Sequence, residues 1–339
     1  MHRMDDRMAT IFLTHDPDTL RDFYGEKALA ALRELAQVRI NDTGKLLATD
    51  GLVEQSAGCE LIVADVNTPA AAAFFDRADT AALLRCAVDV RTIDIDAASR
   101  NGILVTNASP GFVDSVSELI FGAMIDLARH VTYAASAYHA GTLPAKRMGI
   151  ELKGSTIGIL GYGSIGNRVA DIARAFAMHV LVCDPHKSVS AAGVEQVSME
   201  TLLERSDFVV CLVIANAETE NLMDAAAFAR MPASAYFINA SRGNLVDEAA
   251  LREALRKGRI AGAALDVGRA PGQMPTHGIA ALPNVIATPH VGGLTPPATQ
   301  AQALETVEQV QTLLSGRLPH NALNAEHANR LARLAGQAR

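Results

Sequence analysis

Short apolar runs alternate with longer segments of helical periodicity along most of the chain. The apolar runs have the length of strands, and the segments between them place apolar residues on one face. This alternation predicts an α/β architecture of parallel sheets covered by helices on both faces. The predicted strands span residues 9–13, 38–40, 61–64, 83–88, 103–106, 156–160, 179–183, 208–213, 235–239, 260–265 and 285–287.

Capping and proline signals predict the helices between these strands. An aspartate at position 16 or 18 can cap a helix that runs to about Ala36. Thr68-Pro69 opens another helix, with proline at a tolerated position in the first turn. The other predicted helices lie at 217–230, at 247–257 and from Thr295 onward.

Residues 107–141 interrupt the alternation, because a Pro/Gly turn is followed there by one long helical segment. Thr295-Pro296-Pro297 has the cap-then-proline signal of a helix start. We therefore predict two doubly wound parallel-sheet domains. Residues 110–298 form one domain, and residues 1–109 with 299–339 form the other. Residues 1–8 are predicted to form a loose leader.

A G-x-G-x-x-G pattern follows the strand predicted at 156–160. Gly161 allows a tight turn out of the strand, and Gly163 lets backbone N–H groups approach a pyrophosphate. Gly166 lets the following helix pack close to the strand. In this context the pattern predicts dinucleotide binding, and the alternative is a glycine-rich turn in another kind of βαβ unit.

The helix after the glycines begins at Ser164 and Ile165, and the N–H groups of its first turn favour a phosphate. The next strand ends on Asp184, an acid that can hold two ribose hydroxyls and repel a 2′-phosphate. The cofactor is therefore predicted to be NAD in preference to NADP. His186 and Lys187 are the only hint that a 2′-phosphate is tolerated.

Composition limits the possible functions. The net charge of −7 gives no basic footprint for nucleic acid, and no apolar run reaches the length of a membrane span. The four cysteines show no C-x-x-C spacing, which indicates buried thiols in a reducing compartment and no metal site. We predict a cytoplasmic protein with no metal and with neither nucleic acid nor membrane as a partner.

Polar groups follow several strands at their carboxyl ends, where open parallel sheets bind ligands. Arg242 follows the strand at 235–239, Asp266 closes the next strand, and His290 follows the last one. Histidine can exchange a proton near neutral pH, and the planar guanidinium of arginine matches a carboxylate. An arginine and a histidine beside a nicotinamide favour carbonyl reduction.

Together these segments resemble the D-isomer-specific 2-hydroxyacid dehydrogenase family. The resemblance rests on the glycine loop and on NASRGNLVDEAAL, GAALDV and PNVIATPHVGG, and Val88–Phe112 resembles the family's segment before the long helix. It implies a Rossmann NAD-binding domain inserted into a flavodoxin-like substrate domain, with the active site in the cleft between them. It also implies a homodimer formed largely through the NAD-binding domain.

The resemblance implies roles for single residues in a D-stereospecific reaction. Arg242 would bind the carboxylate and keto oxygen of a small 2-keto acid, and His290 would protonate that oxygen while NADH delivers a hydride. The backbone at Ala87 and Val88 would hold the carboxylate, and Asp266 would face the nicotinamide amide. The expected cofactor-binding residues are Gly161, Gly163, Ser164, Ile165, Gly166, Asp184, Ile214, Thr219, Ala240 and Asp266.

The chain departs from the family near the histidine, because members usually carry a glutamate that hydrogen-bonds its ring. No carboxylate lies between Asp266 and His290 in the sequence. The side chain of Gln273 could orient the ring, but it would add no charge. Two hypotheses follow. The chain is an NAD-dependent reductase of 2-keto acids such as glyoxylate or hydroxypyruvate, or it is a non-catalytic NAD(H)-binding protein of the same fold. The presence of Arg242 and His290 favours the reductase.

Overall fold

The computed structural model describes residues 8–334, so the predicted leader lies outside the described residues except for Met8. Within this part of the chain, two compact units are present. The first contains the chain up to Phe112 and again from Thr295, and the second spans Val113–Leu294. Each unit is built on its own parallel sheet.

The first unit is a parallel sheet with helices packed around it. Among its described residues, its elements are β1 (Thr10–Leu13), α1 (Pro17–Thr19), α2 (Gly25–Leu35), β2 (Gln37–Ile40), α3 (Thr49–Gln55), β3 (Leu61–Ala64), α4 (Ala72–Phe75), β4 (Ala82–Arg85), α5 (Ile95–Arg100), β5 (Leu104–Thr106) and, in chain order over both units, α13 (Pro296–Leu314). The strands lie in the order β2-β1-β3-β4-β5. This is the 2-1-3-4-5 order of flavodoxin-like sheets, which confirms the predicted fold class for this unit.

Helix α13 brings the C-terminal segment into the first unit. Ala303, Val307, Val310 and Leu313 are buried in the same core as Leu32 of α2. Their spacing forms one apolar stripe along the helix, and burying that stripe against the sheet removes it from water. The C-terminal segment therefore belongs with the N-terminal strands.

The second unit contains the glycine pattern. Among its described residues, its elements are α6 (Val113–Arg129), α7 (Val131–His139), β6 (Thr156–Leu160), α8 (Ser164–Ala175), β7 (His179–Cys183), β8 (Val194–Gln196), α9 (Met199–Arg205), β9 (Phe208–Cys211), α10 (Ala225–Arg230), β10 (Tyr236–Asn239), α11 (Glu248–Arg256), β11 (Gly262–Leu265), α12 (His277–Ala280) and β12 (Val285–Ala287). The strand order is β12-β11-β10-β9-β6-β7-β8. Counted from β6, this is the Rossmann order 3-2-1-4-5-6 with one more strand at the edge. The order reverses between β6 and β9, which is where such sheets bind their ligands.

The prediction that a helix begins at Thr68-Pro69 is wrong. Ala70 forms an isolated parallel bridge with Ile93, and the Thr68 hydroxyl lies 2.7 Å from that of Thr14. These tertiary contacts hold the segment in an extended conformation, and helix α4 begins only at Ala72. The local proline signal is therefore overridden by pairing with distant residues.

The helix predicted for 217–230 is also too long. Its described counterpart, α10, begins at Ala225, where the side chain of Asp224 accepts a hydrogen bond from the Ala227 N–H at 2.8 Å. Residues 216–221 form bends and a turn instead, because the Thr219 hydroxyl bonds to the main chain of the same segment. A strong cap within the predicted segment thus marks the real start of the helix.

Smaller differences concern the ends of elements and one short strand. The strands predicted at 208–213 and 260–265, for example, span Phe208–Cys211 and Gly262–Leu265. The strand predicted to reach residue 88 ends at Arg85, since the chain then leaves the sheet. The edge strand Val194–Gln196 was not predicted, because its three residues are largely polar. The long helical segment is divided at His130, which has a left-handed φ of 57°.

The described residues contain neither a candidate membrane span nor a candidate metal cluster. No helix between residues 8 and 334 is both long and apolar enough to cross a bilayer. In the same part of the chain, no three His, Cys, Asp or Glu side chains are grouped so that they could hold a metal ion.

Candidate functional site

Three glycines shape the turn between β6 and α8. Gly161 has a φ of +92°, and a Cβ on it would lie 2.8 Å from the carbonyl oxygen of Leu212. A Cβ on Gly166 would clash with the carbonyl oxygen of Gly161, so the helix can pack here only without a side chain. Around Gly163, by contrast, nothing lies within 4 Å of where a Cβ would stand. Main-chain atoms therefore crowd the turn at Gly161 and Gly166, whereas the space beside Gly163 is free of protein atoms.

The open side of the turn is the N-terminus of α8. Gly163 is the cap residue, Ser164 begins the helix and is exposed, and Ile165 is half-buried. The N–H groups of the first turn have no partner within the helix, and they carry the positive end of the helix dipole. These residues therefore fit the pyrophosphate of a dinucleotide.

Asp184 follows β7, and its carboxylate lies beside the glycine turn. Its Oδ2 accepts a hydrogen bond from the Tyr162 N–H at 2.8 Å, and its Oδ1 accepts one from the His186 N–H at 2.9 Å. The Nζ of Lys187 donates to the Tyr162 carbonyl at 2.9 Å. An acid and a lysine thus contact the main chain of the same residue, at the position where Rossmann sheets bind the ribose.

The segment after β9 carries two of the residues expected to contact the cofactor. The Thr219 hydroxyl donates to the Ile214 carbonyl at 2.8 Å and accepts from the Asn216 N–H at 2.9 Å. Ile214 is 81% exposed. An exposed apolar side chain at the carboxyl end of a strand fits packing against a planar ring of a ligand. Ala240, a third expected residue, directly follows β10.

Arg242 lies in a turn after β10 that is held by its own neighbours. Its Nη1 donates to the Ser241 carbonyl at 2.7 Å, and the Asn239 side chain donates to the Arg242 carbonyl at 2.9 Å. A Cβ on Gly243 would clash with the Gly268 carbonyl. The absence of that Cβ lets the loop after β11 approach the arginine turn closely.

The carboxylate of Asp266 organises the turn that carries His290. Its Oδ1 accepts hydrogen bonds from the Thr288 hydroxyl at 2.6 Å and the Val291 N–H at 2.8 Å, and its Oδ2 accepts one from the Gly292 N–H at 2.8 Å. The His290 N–H donates to the Asp266 main-chain carbonyl at 2.9 Å. Sequence reasoning missed this role. The contact of Asp266 with the nicotinamide stays a prediction.

The ring of His290 is paired with a main-chain carbonyl. Its Nδ1 lies 3.1 Å from the carbonyl oxygen of Gly272, and His290 itself has a left-handed φ of 57°. Because a carbonyl can only accept, Nδ1 carries the hydrogen and Nε2 is the nitrogen left for proton exchange. The suggestion that the Gln273 side chain orients the ring is therefore corrected. Gly272 and Gln273 both have left-handed φ, and this chain reversal brings a carbonyl to the ring.

Ala87 and Val88 lie in the first unit, in the loop after β4. The Ala87 carbonyl accepts a hydrogen bond from the Ala108 N–H at 3.0 Å, and the Val88 carbonyl accepts one from the Asn107 side chain at 3.1 Å. Both residues are thus held by the segment that follows β5. Their role as a carboxylate clamp stays a prediction.

A buried polar cluster at the start of that loop was not found from the sequence. Arg85 is fully buried and donates to the main-chain carbonyls of Asp65 and Thr68 and to the Thr92 hydroxyl. His15 is 1% exposed, and its Nε2 lies 3.9 Å from Asp65 Oδ2. Burial lowers the pKa of His15 to about 4 and that of Arg85 to about 10, although Asp65 opposes both changes. Neither periodicity nor a motif distinguishes these residues.

Comparison with known proteins agrees with this geometry. Residues 121–292 match the family model of the D-isomer specific 2-hydroxyacid dehydrogenase, NAD binding domain. The D-3-phosphoglycerate dehydrogenase of Methanocaldococcus jannaschii is 35% identical over 307 residues, which are 88% of this chain and 57% of that protein. The hydroxypyruvate reductase of Thermotoga maritima is 34% identical over 233 residues, which are 67% of this chain and 76% of the relative.

Among solved structures, the TT0316 protein from Thermus thermophilus superimposes with a TM-score of 0.82 and is 31% identical, covering 93% of this chain and 99% of that one. The chain spans little more than half the length of the D-3-phosphoglycerate dehydrogenases of Methanocaldococcus jannaschii and Archaeoglobus fulgidus, at 57% and 54%. The family model covers half of the chain and contains the glycine turn, Arg242 and His290. The chain therefore belongs to the D-isomer-specific 2-hydroxyacid dehydrogenase family and carries its NAD-binding domain.

Proposed function

We propose that this chain is an NAD-dependent, D-stereospecific reductase of small 2-keto acids, with Arg242 and His290 as its reacting pair. The observation that carries the proposal is the fixed ring of His290, whose Nδ1 bonds to a carbonyl and leaves Nε2 for the substrate. In this proposal residues 110–298 bind the cofactor, and residues 1–109 with 299–339 form the substrate domain.

NADH supplies the hydride when it is bound. Its pyrophosphate would be held by Gly161, Gly163, Gly166, Ser164 and Ile165, and its ribose by Asp184. Ile214, Thr219, Ala240 and Asp266 line the remainder of the cofactor site. Arg242 binds the substrate carboxylate and polarises the keto oxygen, because a guanidinium can donate several charge-assisted hydrogen bonds at once.

His290 donates the Nε2 proton of its imidazolium form to the keto oxygen as the carbon accepts the hydride. In the opposite direction the neutral ring, protonated at Nδ1, accepts the hydroxyl proton at Nε2. One nitrogen thus serves both directions, since the other is committed to the Gly272 carbonyl. The backbone at Ala87 and Val88 is proposed to bind the substrate carboxylate as well.

The relatives support a small, polar 2-keto acid as the substrate. One is named a hydroxypyruvate reductase and others D-3-phosphoglycerate dehydrogenases, so 2-keto acids of three carbons are the first to test. The alternative is a non-catalytic NAD(H)-binding protein of the same fold. The missing carboxylate partner of His290 is the feature that favours it.

A homodimer formed through the second unit belongs to the same proposal. Leu143 and Met148, in the segment after α7, are 87% and 95% exposed, and Val131 and Tyr138 on α7 are exposed as well. A second copy of the chain would remove this apolar surface from water. Light scattering after gel filtration, compared between wild type and Leu143→Ser/Met148→Ser, tests the dimer.

The unpaired, mostly buried cysteines support a reducing compartment such as the cytoplasm, and the net charge of −7 argues against a nucleic-acid partner.

The decisive experiment is oxidation of NADH by the purified chain against a panel of 2-keto acids that includes glyoxylate, pyruvate, hydroxypyruvate and 3-phosphohydroxypyruvate. We expect turnover with at least one of them and the D-hydroxy acid as product by chiral chromatography. His290→Asn serves as the inactive comparison. Binding of NADH without turnover of any keto acid would favour the non-catalytic alternative.

A further inference from the structure

The loop from Gly268 to Thr276 brings the Gly272 carbonyl to His290, and the loop closes on itself at its base. The Gly268 N–H donates to the Gln273 carbonyl at 2.7 Å, and the Ala270 N–H donates to the Met274 carbonyl at 2.9 Å. Gly272 has a φ of +70°, which non-glycine residues rarely adopt. The position of its carbonyl is therefore determined by main-chain bonds within the loop.

One side chain clamps both ends of this loop. Glu248, in the first turn of α11, accepts a hydrogen bond from the Arg269 N–H on Oε1 at 3.1 Å and one from the Thr276 hydroxyl on Oε2 at 2.8 Å. The two oxygens of one carboxylate thus bind the first and the last part of the loop. Helix α11 is packed into the core of the second unit through Leu251 and Leu255, so the main chain that carries Glu248 is held in place.

The side chain of Arg269 anchors the start of the loop a second time. Its Nη2 donates to Glu220 Oε1 at 2.9 Å, to Asn221 Oδ1 at 2.6 Å and to the Val246 carbonyl at 3.1 Å. Such a set of partners leaves the guanidinium little freedom to move. The loop is thus held at its start by two independent groups, and its apex faces the histidine.

We infer that the Gly272 carbonyl takes the place of the family's glutamate as the orienting partner of His290, and that Glu248 is the positioning residue that holds this carbonyl. The inference rests on the proposed function. A carbonyl selects the Nδ1–H form of the ring as a carboxylate would, because both only accept hydrogen bonds. It does so without a full negative charge. In this inference a carboxylate, Glu248, acts on the ring indirectly, through the loop that holds the Gly272 carbonyl.

The test measures the ring and the reaction separately in the full-length protein. Long-range ¹H–¹⁵N NMR of histidine-labelled protein at alkaline pH reports which nitrogen of neutral His290 carries the hydrogen, with His290→Asn to assign the signal. We expect the Nδ1–H form in the wild type. Glu248→Ala should convert it to a mixture of both forms and lower kcat at least about tenfold, a part of the 10²- to 10⁴-fold that acid–base catalysis supplies.

Glu253→Ala is the matched control, because Glu253 lies on the same helix and forms an exposed ion pair with Lys257 at 2.6 Å. It should leave the ring form and kcat unchanged. Glu248→Gln, which keeps an acceptor and can still bond Thr276, should restore most of kcat. The affinity for NADH, measured by calorimetry, should be equal in all variants.

Two results would overturn the inference: an Nε2–H ring in the wild type, or a Glu248→Ala variant that matches Glu253→Ala in both ring form and kcat. An Nδ1–H ring that is lost in Glu248→Ala, in a protein that reduces no keto acid, would support the orienting role and count against the proposed function. The ring measurement needs no substrate, so the two failures can be distinguished.

Discussion

The Oδ2 of Asp266 accepts a hydrogen bond from the Gly292 N–H at 2.8 Å, and a Cβ on Gly292 would lie 2.9 Å from that same oxygen. The aspartate and the glycine therefore depend on each other. The carboxylate can approach the main chain this closely only because the residue there has no side chain. The first of the two glycines after His290 is thus explained by packing against an acid that lies at the end of the neighbouring strand.

Asp266→Asn should destabilise the second unit and disturb His290. The buried carboxylate accepts three hydrogen bonds, and an amide would direct its NH₂ group at one of these donors. Leaving a buried donor unpaired costs about 1 to 3 kcal/mol. We expect a loss of this size in chemical denaturation, together with lower kcat.

Asp224→Asn is the control for that substitution, because Asp224 caps α10 and asparagine caps a helix about as well as aspartate. It should leave both stability and kcat nearly unchanged. An Asp266→Asn variant as stable as the wild type would show that the three bonds to its carboxylate do not organise the turn.

His290→Ala and Arg242→Lys should damage the reaction in different ways. Removing the acid–base group should lower kcat by about 10²- to 10⁴-fold and leave the dissociation constant of NADH unchanged. Replacing the planar guanidinium by an ammonium should mainly raise the KM for the keto acid, since two parallel hydrogen bonds to its carboxylate cannot form. Arg230→Lys, in an exposed ion pair with Glu204, is the control. Equal kcat in wild type and His290→Ala would contradict the proposed role of His290 as the acid–base group.

Asp184 should set the preference for NADH over NADPH. Its carboxylate lies beside the glycine turn, where we propose that it binds the ribose and would repel a 2′-phosphate. Asp184→Ser should narrow the ratio of the two dissociation constants at least about tenfold, or about 1.4 kcal/mol. Lys187, which contacts the same residue, Tyr162, would then face the phosphate.

Calorimetric titration with both cofactors measures this ratio. Asp184→Ser/Lys187→Ala should bind NADPH more weakly than Asp184→Ser, because the cation beside the phosphate has been removed. Equal affinity of the wild type for both cofactors would contradict the role of Asp184.

His15 should make the first unit less stable in acid. Burial lowers its pKa to about 4, against 6.5 in an unfolded chain, although Asp65 and Asp16 oppose this change. Between these two values the unfolded chain binds a proton that the folded chain does not. The contribution of neutral His15 to the free energy of unfolding is therefore fully present above about pH 6.5, and it is lost as the pH falls towards 4. The full loss corresponds to roughly 3 kcal/mol of the free energy of unfolding.

Urea denaturation at a series of pH values tests the role of His15. His15→Gln should flatten the decline between pH 6.5 and 4. His327→Gln, which changes a half-exposed histidine of the same unit, should retain it. A wild-type protein whose stability is constant over this pH interval would argue against a neutral, buried His15.

The positions of the strands along the chain, the glycine turn and the acid at position 184 could be predicted because each depends on residues close together in the chain. An apolar run of strand length, a glycine at a left-handed position and a polar residue after a strand all leave local signatures. Strands such as Thr156–Leu160 and His179–Cys183 were therefore predicted to the residue. The helices at Thr68 and at 217–230 were wrong or too long where contacts with distant residues or an internal cap decide the backbone conformation.

The chemical neighbours of the site residues, by contrast, were decided by the tertiary structure. His290 and Gly272 are eighteen positions apart, and a main-chain carbonyl has the same chemistry whatever the residue type, so no letter of the sequence marks it as a partner. Likewise, Asp266 bonds to three groups beyond β12, and His15 lies beside Asp65 only because β1 and β3 are neighbours in the sheet. The sequence by itself determined which residues are candidates for the chemistry and which strands they follow. Folding decided which hydrogen bond each of them makes, because parallel strands bring together segments that are far apart in the chain.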